Sequence, residues 1–582
     1  SSFQYVQEDF KTIERLTSIE FARDWNLGLF TGNQSIFSAK LDAQLPKKGN
    51  LAYQYENLGL TNNFTGNRQQ LSGAFQLGTW SIHQQGSVMK SDSQLATTTF
   101  IREQLTTKWQ RNKNWIGSSL RLEDNQEQLK TTRLLTPLSQ RFTEWGAFLG
   151  RGDSTKVYAQ LGYVNRRTDS IQNGLLKEAS RSHSYYLKSK ILQSEDRDLA
   201  VFINYRRLEF TDSAKKNQPS LNSRILYNDN FGDKLVQTTT AYETASGAIA
   251  QQEFTYIEVP PGQGVYAWID YNGNGIQELE EFEVAPFPDQ AKFVRVYLPS
   301  QVFLQTHQNK FSESVSWNPL IWRTSSGFKR LLSYLYNQTA FSIDRKLERN
   351  GDQFNLNPFS SSGANLLGLQ QNFRNSFFIN RGKQNHSITY TFLESKVQNL
   401  LSFGSQSSQN TAHQLQYNHL IAKTWLLGFT AKIANSSLSV SDYIARNYVI
   451  DSYFVSPKLS YIFSQNASLD IFVEQQNKQN QLGDLEQLKQ TRIGSSFTYS
   501  GEKKVTLNGE YSYYNNAFTG DALTPAAFHM LEGLQPGKNS TWRLLAQKNL
   551  TQYLELNLNY QGRKSENSPV VHIGSVQLRA YF

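Results

Sequence analysis

Apolar and polar residues alternate with a period of two along most of this 582-residue chain. This period is typical of β-strands, in which successive side chains point to opposite faces. In one segment the apolar positions are Leu554, Leu556, Leu558 and Tyr560, and the polar positions between them are Glu555, Asn557, Asn559 and Gln561. Similar segments of about ten residues recur along the chain, the length that a tilted strand needs to cross a bilayer. Sustained helical periodicity is hard to find, so the sequence predicts an all-β fold.

Short and long connections alternate between these segments. Short ones fall at sites such as 195–197, 423–424 and 464–466, and long ones fall near 123–138, 167–179, 210–220, 245–299, 342–369, 399–408, 477–486 and 515–538. Membrane barrels join their strands by short periplasmic turns and longer external loops. We therefore predict a transmembrane antiparallel β-barrel of about 26 strands over residues 18–582, with an extracellular insertion at 245–299. Residues 1–17 are predicted to be a periplasmic lead-in or the tail of a missing domain.

Proline positions give a check on this segmentation, because proline cannot donate a hydrogen bond to a central strand ladder. Of the 14 prolines, only Pro457 interrupts a predicted strand. A bulge or a local break in pairing is expected there.

Composition narrows the function classes. Cysteine is absent, which excludes a disulfide scaffold and a cysteine-based zinc site. No apolar run of about 18 residues is present, so transmembrane helices are excluded. The net charge of +10 comes from 59 basic and 49 acidic residues without a basic block or tail, so nucleic-acid binding is not indicated.

The last strand carries a specific end signal. Its apolar positions are Val576, Leu578, Ala580 and Phe582, and the chain ends on that aromatic residue. The pattern resembles the C-terminal recognition strand that the assembly machinery reads in Gram-negative outer-membrane proteins. It predicts an outer-membrane location, in contact with outer-membrane lipids and lipopolysaccharide. The competing fold is a large soluble all-β protein, but its apolar faces should be rich in Val and Ile, whereas these carry Tyr, Phe and Trp near strand ends.

One loop inside the insertion has the spacing of a calcium site. The candidate ligands are the side chains of Asp270, Asn272, Asn274, Glu278 and Glu281 and the carbonyl group of Ile276. Alternate oxygen ligands, a glycine for the sharp turn and an acid at the twelfth position are what calcium loops use. The alternative is an Asn-Gly turn held by side-chain hydrogen bonds without metal. In either case the loop is expected to stiffen a surface segment rather than to catalyse.

The segment around this loop, Val259–Ala291, looks like loops of large outer-membrane proteins of Bacteroidota. It is similar to loops in the giant translocon barrel of the type IX secretion system and its relatives. This resemblance implies a barrel that works with lipoprotein and periplasmic partners. The chain is shorter than that translocon. In strand number it approaches the lipopolysaccharide-inserting barrel, but it lacks paired cysteines.

Catalytic groupings are not apparent. His83, His183, His386 and His413 stand isolated among polar residues, and no nucleophile elbow or phosphate loop is present. We therefore expect no enzyme activity and no cofactor except calcium. The predicted function is translocation or assembly of a large substrate, a protein or a glycolipid, within a multiprotein envelope complex. The alternative is a closed barrel that acts as a scaffold or surface-binding module through loops 245–299, 342–369 and 515–538; a barrel hydrolase is a third possibility.

Overall fold

The computed structural model describes residues 1–8, 21–25, 27, 32–61, 64–153, 155–250, 253–298, 303–349, 351–360, 365–383, 385–401, 404–501, 505–551 and 553–581. The strands are β1 Ser2–Val6, β2 Gln34–Leu45, β3 Gly49–Leu60, β4 Phe64–Leu77, β5 Trp80–Asp92, β6 Ala96–Arg111, β7 Asn114–Leu129, β8 Gln140–Gly152, β9 Tyr158–Gln172, β10 Leu175–Gln193, β11 Arg197–Phe210, β12 Gln218–Phe231, β13 Val236–Ala250, β14 Glu253–Glu258, β15 Tyr266–Trp268, β16 Phe282–Val284, β17 Phe293–Leu298, β18 Phe303–Trp317, β19 Leu335–Glu348, β20 Leu366–Ile379, β21 His386–Leu401, β22 Gly404–Ile421, β23 Trp425–Val440, β24 Tyr448–Ser464, β25 Ala467–Asn480, β26 Gln487–Gly501, β27 Val505–Thr519, β28 Gly537–Asn549, β29 Leu554–Ser565 and β30 Val571–Ala580. The helices are α1 Phe21–Asp24, α2 Phe328–Leu332 and α3 Pro525–Leu531, with 3-10 helices at Leu279–Glu281, Pro319–Thr324 and Ile444–Arg446. No helix in these described ranges has the length and apolar character needed to cross a membrane.

Strands β1–β13 and β18–β30 belong to one 26-stranded sheet, and β14–β17 form a separate four-stranded sheet. Successive strands of the large sheet pair antiparallel, as in β2 with β3 and β3 with β4. The predicted fold class, an all-β antiparallel barrel of about 26 strands, is confirmed.

Contacts divide the chain into two compact units, one of Ser1–Leu226 with Glu243–Ala245 and one of Tyr227–Tyr242 with Ser246–Phe582. In the first unit, Ser2–Val6 of the predicted lead-in forms β1 and pairs with the start of β2. Residues 9–17 of that stretch lie outside the described residues.

The predicted long connection at 167–179 is wrong. There β9 continues to Gln172 and β10 begins at Leu175, so only Asn173 and Gly174 lie between them. Both have positive φ, 53° and 75°, as a two-residue hairpin turn requires. Charged residues of this stretch pair within the strands, as Arg167 does with Asp169 at 2.9 Å and with Glu178 at 3.3 Å.

The connection predicted at 399–408 is also much shorter, because β21 ends at Leu401 and β22 begins at Gly404. At Pro457 the expected break in pairing is confirmed. Pairing of β24 with β25 passes from Val455–Gln475 directly to Lys458–Phe472 in the same register. No extra residue is inserted there, so the break is not a bulge.

The strands of the second unit have one apolar and one polar face. On the apolar face Leu427 lies opposite Leu459, which lies opposite Ile471; these side chains are 39%, 40% and 52% exposed. On the polar face Arg492 bridges Glu474 at 2.9 Å and Glu510 at 2.5 Å. An exposed apolar face opposite a polar, ion-paired face is what a sheet needs to have lipid on one side and water on the other.

Three tyrosine–histidine hydrogen bonds lie on the apolar face, and in all three the two residues are diagonal neighbours on adjacent strands. Tyr163 with His183 in the first unit, and Tyr390 with His413 and Tyr560 with His572 in the second, have Oη–Nδ1 distances of 2.7, 2.8 and 2.8 Å. In each pair the histidine lies two positions before the residue directly opposite the tyrosine. Two of the histidines that looked isolated in the sequence therefore have tyrosine partners.

Helix α3 closes the connection between β27 and β28. Its residues Ala526, Met530 and Leu531 are buried in a cluster with residues of β24 and β26. The Nζ atom of Lys478, on β25, donates to the carbonyl oxygen of Met530 at 2.9 Å and binds Glu532 at 2.7 Å. The long connection between β27 and β28 is thus fixed to β24, β25 and β26.

Candidate functional site on the polar face

The insertion predicted at 245–299 folds as a small sheet of its own. Strand β14 pairs with β17, which also pairs with β15, and β15 pairs with β16. Its core is aromatic, since the Phe282 ring stacks on Tyr256 with 4.0 Å between centroids and meets Phe293 edge-on at 5.0 Å. Phe282 and Phe293 are buried, so the insertion has a core independent of the large sheet.

Two ion pairs join the insertion to the rest of the second unit. Glu283 binds Arg446, which lies between β23 and β24, and Asp289 binds Arg563 on β29; both N–O distances are 2.5 Å. Arg563 lies on the polar face of β29, opposite in parity to the exposed Leu558 and Tyr560. The two guanidinium side chains are only 12% and 18% exposed. We call these two pairs the charge clamps.

Close packing accompanies the charge clamps. The Arg563 guanidinium lies 4.7 Å from the centre of the Phe287 ring. A Cβ atom at Gly533, after α3, would come within 2.8 Å of Pro286, and the φ of 77° there also requires glycine. Burial raises the pKa of the Glu283 carboxyl group, and Arg446 opposes that rise.

A cavity of about 240 Å³ lies between the insertion and the polar face. The charged and amide side chains that line it are Asp289, Glu510, Arg543, Gln561 and Arg563. The exposed Arg543 side chain makes no ion pair or hydrogen bond within the described part of the chain. The cavity therefore presents positively charged hydrogen-bond donors and negatively charged acceptors to a small polar group.

The candidate calcium loop is ordered by its own oxygens. Asp270 accepts hydrogen bonds from the backbone N–H groups of Asn274 at 3.1 Å and Gly275 at 2.9 Å. The amide oxygens of Asn272 and Asn274 accept from the N–H groups two residues further on, and Glu278 accepts from both amide groups. These hydrogen bonds form the metal-free turn, and each oxygen keeps a lone pair with which it could ligate calcium.

Glu281 differs from the other candidate ligands. Its carboxylate is 1% exposed and accepts from Trp268 Nε1 at 2.7 Å and from the N–H of Tyr271 at 3.2 Å. Both oxygens thus already hold the loop against β15. No group of three or more His, Asp or Glu residues positioned for a metal occurs in the described ranges. The carbonyl ligand expected from Ile276 lies in an exposed residue.

The residues of the predicted assembly signal lie on β30. Val576 is 73% exposed and Leu578 is 60% exposed, at alternate positions with Ala580, and they share the face of Leu556 and Leu558 on β29. Phe582 lies outside the described residues. Within the second unit β30 pairs only with β29 in the described part, and every residue from 574 to 580 is exposed.

The first unit has its own anchored segment on the polar face. Trp25, which follows α1, is 1% exposed and packs among Leu58, Phe64, Met89 and Phe100. The neighbouring Asp24 binds Arg102 at 2.7 Å. As in the insertion, an acidic side chain of an added segment pairs with an arginine of the strands.

Sequence reasoning missed these acid–arginine pairs. Strand parity could have placed Arg563 on the polar face, but its partner Asp289 is 274 residues away. No local pattern marks such a pair.

The apolar face of the sheet requires a hydrocarbon environment, and large antiparallel sheets with one apolar and one polar face are characteristic of outer membranes. The protein is located in the outer membrane of a Gram-negative cell.

No protein-family model and no curated protein matches the chain. Among solved structures, the FrpB iron transporter from Neisseria meningitidis aligns at a TM-score of 0.30 and 9% identity, over 96% of this chain and 82% of that one. BauA, the ferric preacinetobactin receptor from Acinetobacter baumannii, aligns at 0.30 and 7%, over 91% and 84%. The pyoverdine outer membrane receptor FpvA from Pseudomonas aeruginosa aligns at 0.27 and 7%, over 88% and 79%. With scores this low, the substrate of this chain has to be inferred from its own residues.

Proposed function

We propose that this chain is an outer-membrane transport barrel that translocates or assembles a large substrate, a protein or a glycolipid, together with lipoprotein or periplasmic partners. The sheet has 26 strands, and a membrane barrel of that strand number has a lumen far wider than a small solute needs. Its polar face carries charges of both signs, as Arg492 between Glu474 and Glu510 illustrates, rather than the like-charged ring of an ion filter. The resemblance of 259–291 to Bacteroidota outer-membrane loops supports partners of this class.

The Asp289–Arg563 pair is the observation that carries the proposal. It binds the insertion to the polar face, which lines the lumen of an outer-membrane barrel. The insertion follows β13 on the side of the long connections, so it covers the polar face from that side. A cover held by two charge clamps and the packing of Pro286 and Phe287 can leave the lumen without unfolding any strand of the large sheet.

The test combines conductance with native purification. The full chain is reconstituted in planar bilayers as wild type, as an Arg446→Gln and Arg563→Gln double variant, and as Arg543→Gln. The double variant should conduct more often or at a higher level than the wild type and than Arg543→Gln, which removes a charge from the same cavity without breaking a charge clamp. Mass spectrometry of the protein extracted in mild detergent should identify lipoproteins or periplasmic proteins bound to it.

A surface-binding scaffold is the second candidate. It is favoured by four exposed apolar side chains on the insertion, Ile257, Val265, Ile276 and Val284, which are 48%, 52%, 62% and 62% exposed. Recovery of the barrel alone, with the same low conductance in all three forms, would support this second function and contradict transport.

A further inference from the structure

The connection between β18 and β19, residues 318–334, is a folded segment that exposes large apolar side chains. It contains the 3-10 helix Pro319–Thr324 and α2. Leu320, Ile321, Phe328 and Leu331 are 52%, 46%, 71% and 63% exposed. Scattered exposed apolar residues are ordinary, but four within one short connection form a patch.

The segment lies at the short-turn end of its strands. Antiparallel strands alternate in direction, so 318–334 shares its end of the sheet with the turns at 232–235 and 380–385. The N–H of Asn318 donates to the carbonyl oxygen of Leu235 at 2.8 Å, and that of Asn380 donates to Tyr334 at 2.8 Å. The patch therefore lies at the short-turn end of the sheet, which in a membrane barrel is where the strands leave the bilayer.

Positive charge surrounds the apolar patch. Residues 318–334 contain Arg323, Lys329 and Arg330 and no acidic residue, and the neighbouring turn 380–385 adds Arg381 and Lys383, also without an acid. The Arg381 guanidinium lies 3.8 Å from the centre of the Tyr336 ring, and the Lys383 amine lies 4.6 Å from that of Tyr334. The turn 232–235 adds one residue of each sign, Asp233 and Lys234.

Hydrogen bonds within the segment hold it in a folded conformation, so its exposed side chains are not the result of an incomplete fold. The Asn318 side chain accepts from the N–H of Leu320 at 3.4 Å, and Ser333 Oγ donates to the Arg330 carbonyl oxygen at 2.7 Å. Pro319 and Ser333 are buried against the rest of the unit. A fixed scaffold presents the apolar and basic side chains together.

We propose that residues 318–334 form an interfacial anchor that inserts Leu320, Ile321, Phe328 and Leu331 into the phospholipid leaflet at the short-turn side, with the surrounding cations on anionic headgroups. Apolar side chains beside a cluster of Lys and Arg are the composition of amphipathic segments that lie in a membrane interface. Positive charge at this position complements an anionic leaflet. The anchor ties one point of the wall to the bilayer surface, independently of what the barrel transports.

The absence of cysteine from the chain permits a direct test. Phe328→Cys carries an environment-sensitive fluorophore, and the full chain is reconstituted in phosphatidylethanolamine vesicles with or without phosphatidylglycerol. Brominated lipids should quench this label severalfold more than a label on the control variant Gln465→Cys, an exposed turn residue at the same end. We then add Arg323→Gln, Lys329→Gln and Arg330→Gln. The increase in quenching that phosphatidylglycerol causes should fall by about fivefold for each cation removed.

Heat-modifiable mobility in gels checks that every variant is folded. Equal quenching at positions 328 and 465 in both vesicle types would overturn the proposal. A label at 328 that vesicles leave accessible but a soluble periplasmic fraction shields would also overturn it, because the patch would then be a protein-docking surface.

Discussion

The hydroxyl group of Tyr560 and Nδ1 of His572 form a 2.8 Å hydrogen bond across two strands, with the rings 10° from parallel. Both side chains lie on the apolar face, where a lone polar group would find no water. Pairing them removes that cost, and the same diagonal arrangement recurs at Tyr163–His183 and Tyr390–His413.

This relationship predicts a measurable coupling energy. Tyr560→Phe, His572→Leu and the double variant form a cycle in which the two single changes each leave one polar group unpaired. We expect a coupling of about 1 kcal/mol in the free energy of unfolding, measured by guanidinium denaturation in phospholipid vesicles. The control is Tyr453→Phe, an exposed tyrosine of the same face with no hydroxyl partner in the described residues, and it should change stability little. Additive single effects would mean that each side chain bonds water or lipid instead.

The charge clamps predict selective release of the insertion. Replacing Arg446 and Arg563 with Gln leaves the partly buried Glu283 and Asp289 without their cations, and leaving such a charged hydrogen-bonding group without its partner costs about 1–3 kcal/mol. Limited proteolysis should then cut within 253–298 while the strands of the large sheet stay intact. Arg543→Gln should leave the wild-type pattern. Unchanged cleavage in the double variant would mean that the Phe287 and Gly533 contacts suffice.

His529 on α3 predicts a pH dependence. Burial first, and then Lys478, lower its pKa from the ordinary 6.5, while Glu532 raises it. As pH falls below about 6.5 the unfolded segment takes up a proton that the folded one resists, so the stability of α3 decreases with falling pH and is complete above that value. Hydrogen exchange at 525–534 should accelerate between neutral pH and pH values below 6.5, and His529→Phe should abolish this acceleration. An equal response in the variant would place the titrating group elsewhere.

The loop at 270–281 is proposed to bind calcium through Asp270, Asn272, Asn274 and Glu278. Calcium should protect the loop from protease in the wild type, and Asp270→Ala should remove that protection, whereas Gln277→Ala, an exposed neighbour, should retain it. Glu281→Gln should destabilise the loop with or without calcium, because it weakens the bonds to Trp268 and Tyr271. Protection that is independent of calcium in the wild type would refute the site.

Alternation was enough to predict the strands, since one buried or lipid-covered face imposes period two on every strand. It failed at the hairpin of β9 and β10: Arg167 and Glu178 would be polar in a loop as well as in a strand, and only their ion pair reveals the longer hairpin. It also missed 318–334, whose apolar residues do not look like a turn. The spacing of the residues was enough to predict the oxygen-bearing side chains of the calcium loop. The hydrogen bond from Trp268 to Glu281 could not be predicted, because it depends on the fold of the whole insertion.

Strands β14–β17 pair only with one another among the described residues, and the large sheet keeps its strand order on either side of them. The insertion can therefore be gained, lost or exchanged during evolution without shifting the register of any neighbouring strand. The host-side residues that contact the insertion include Arg446, Arg563 and Gly533. Related barrels that lack the insertion should vary at those three positions, and barrels that carry it should retain the same three residues.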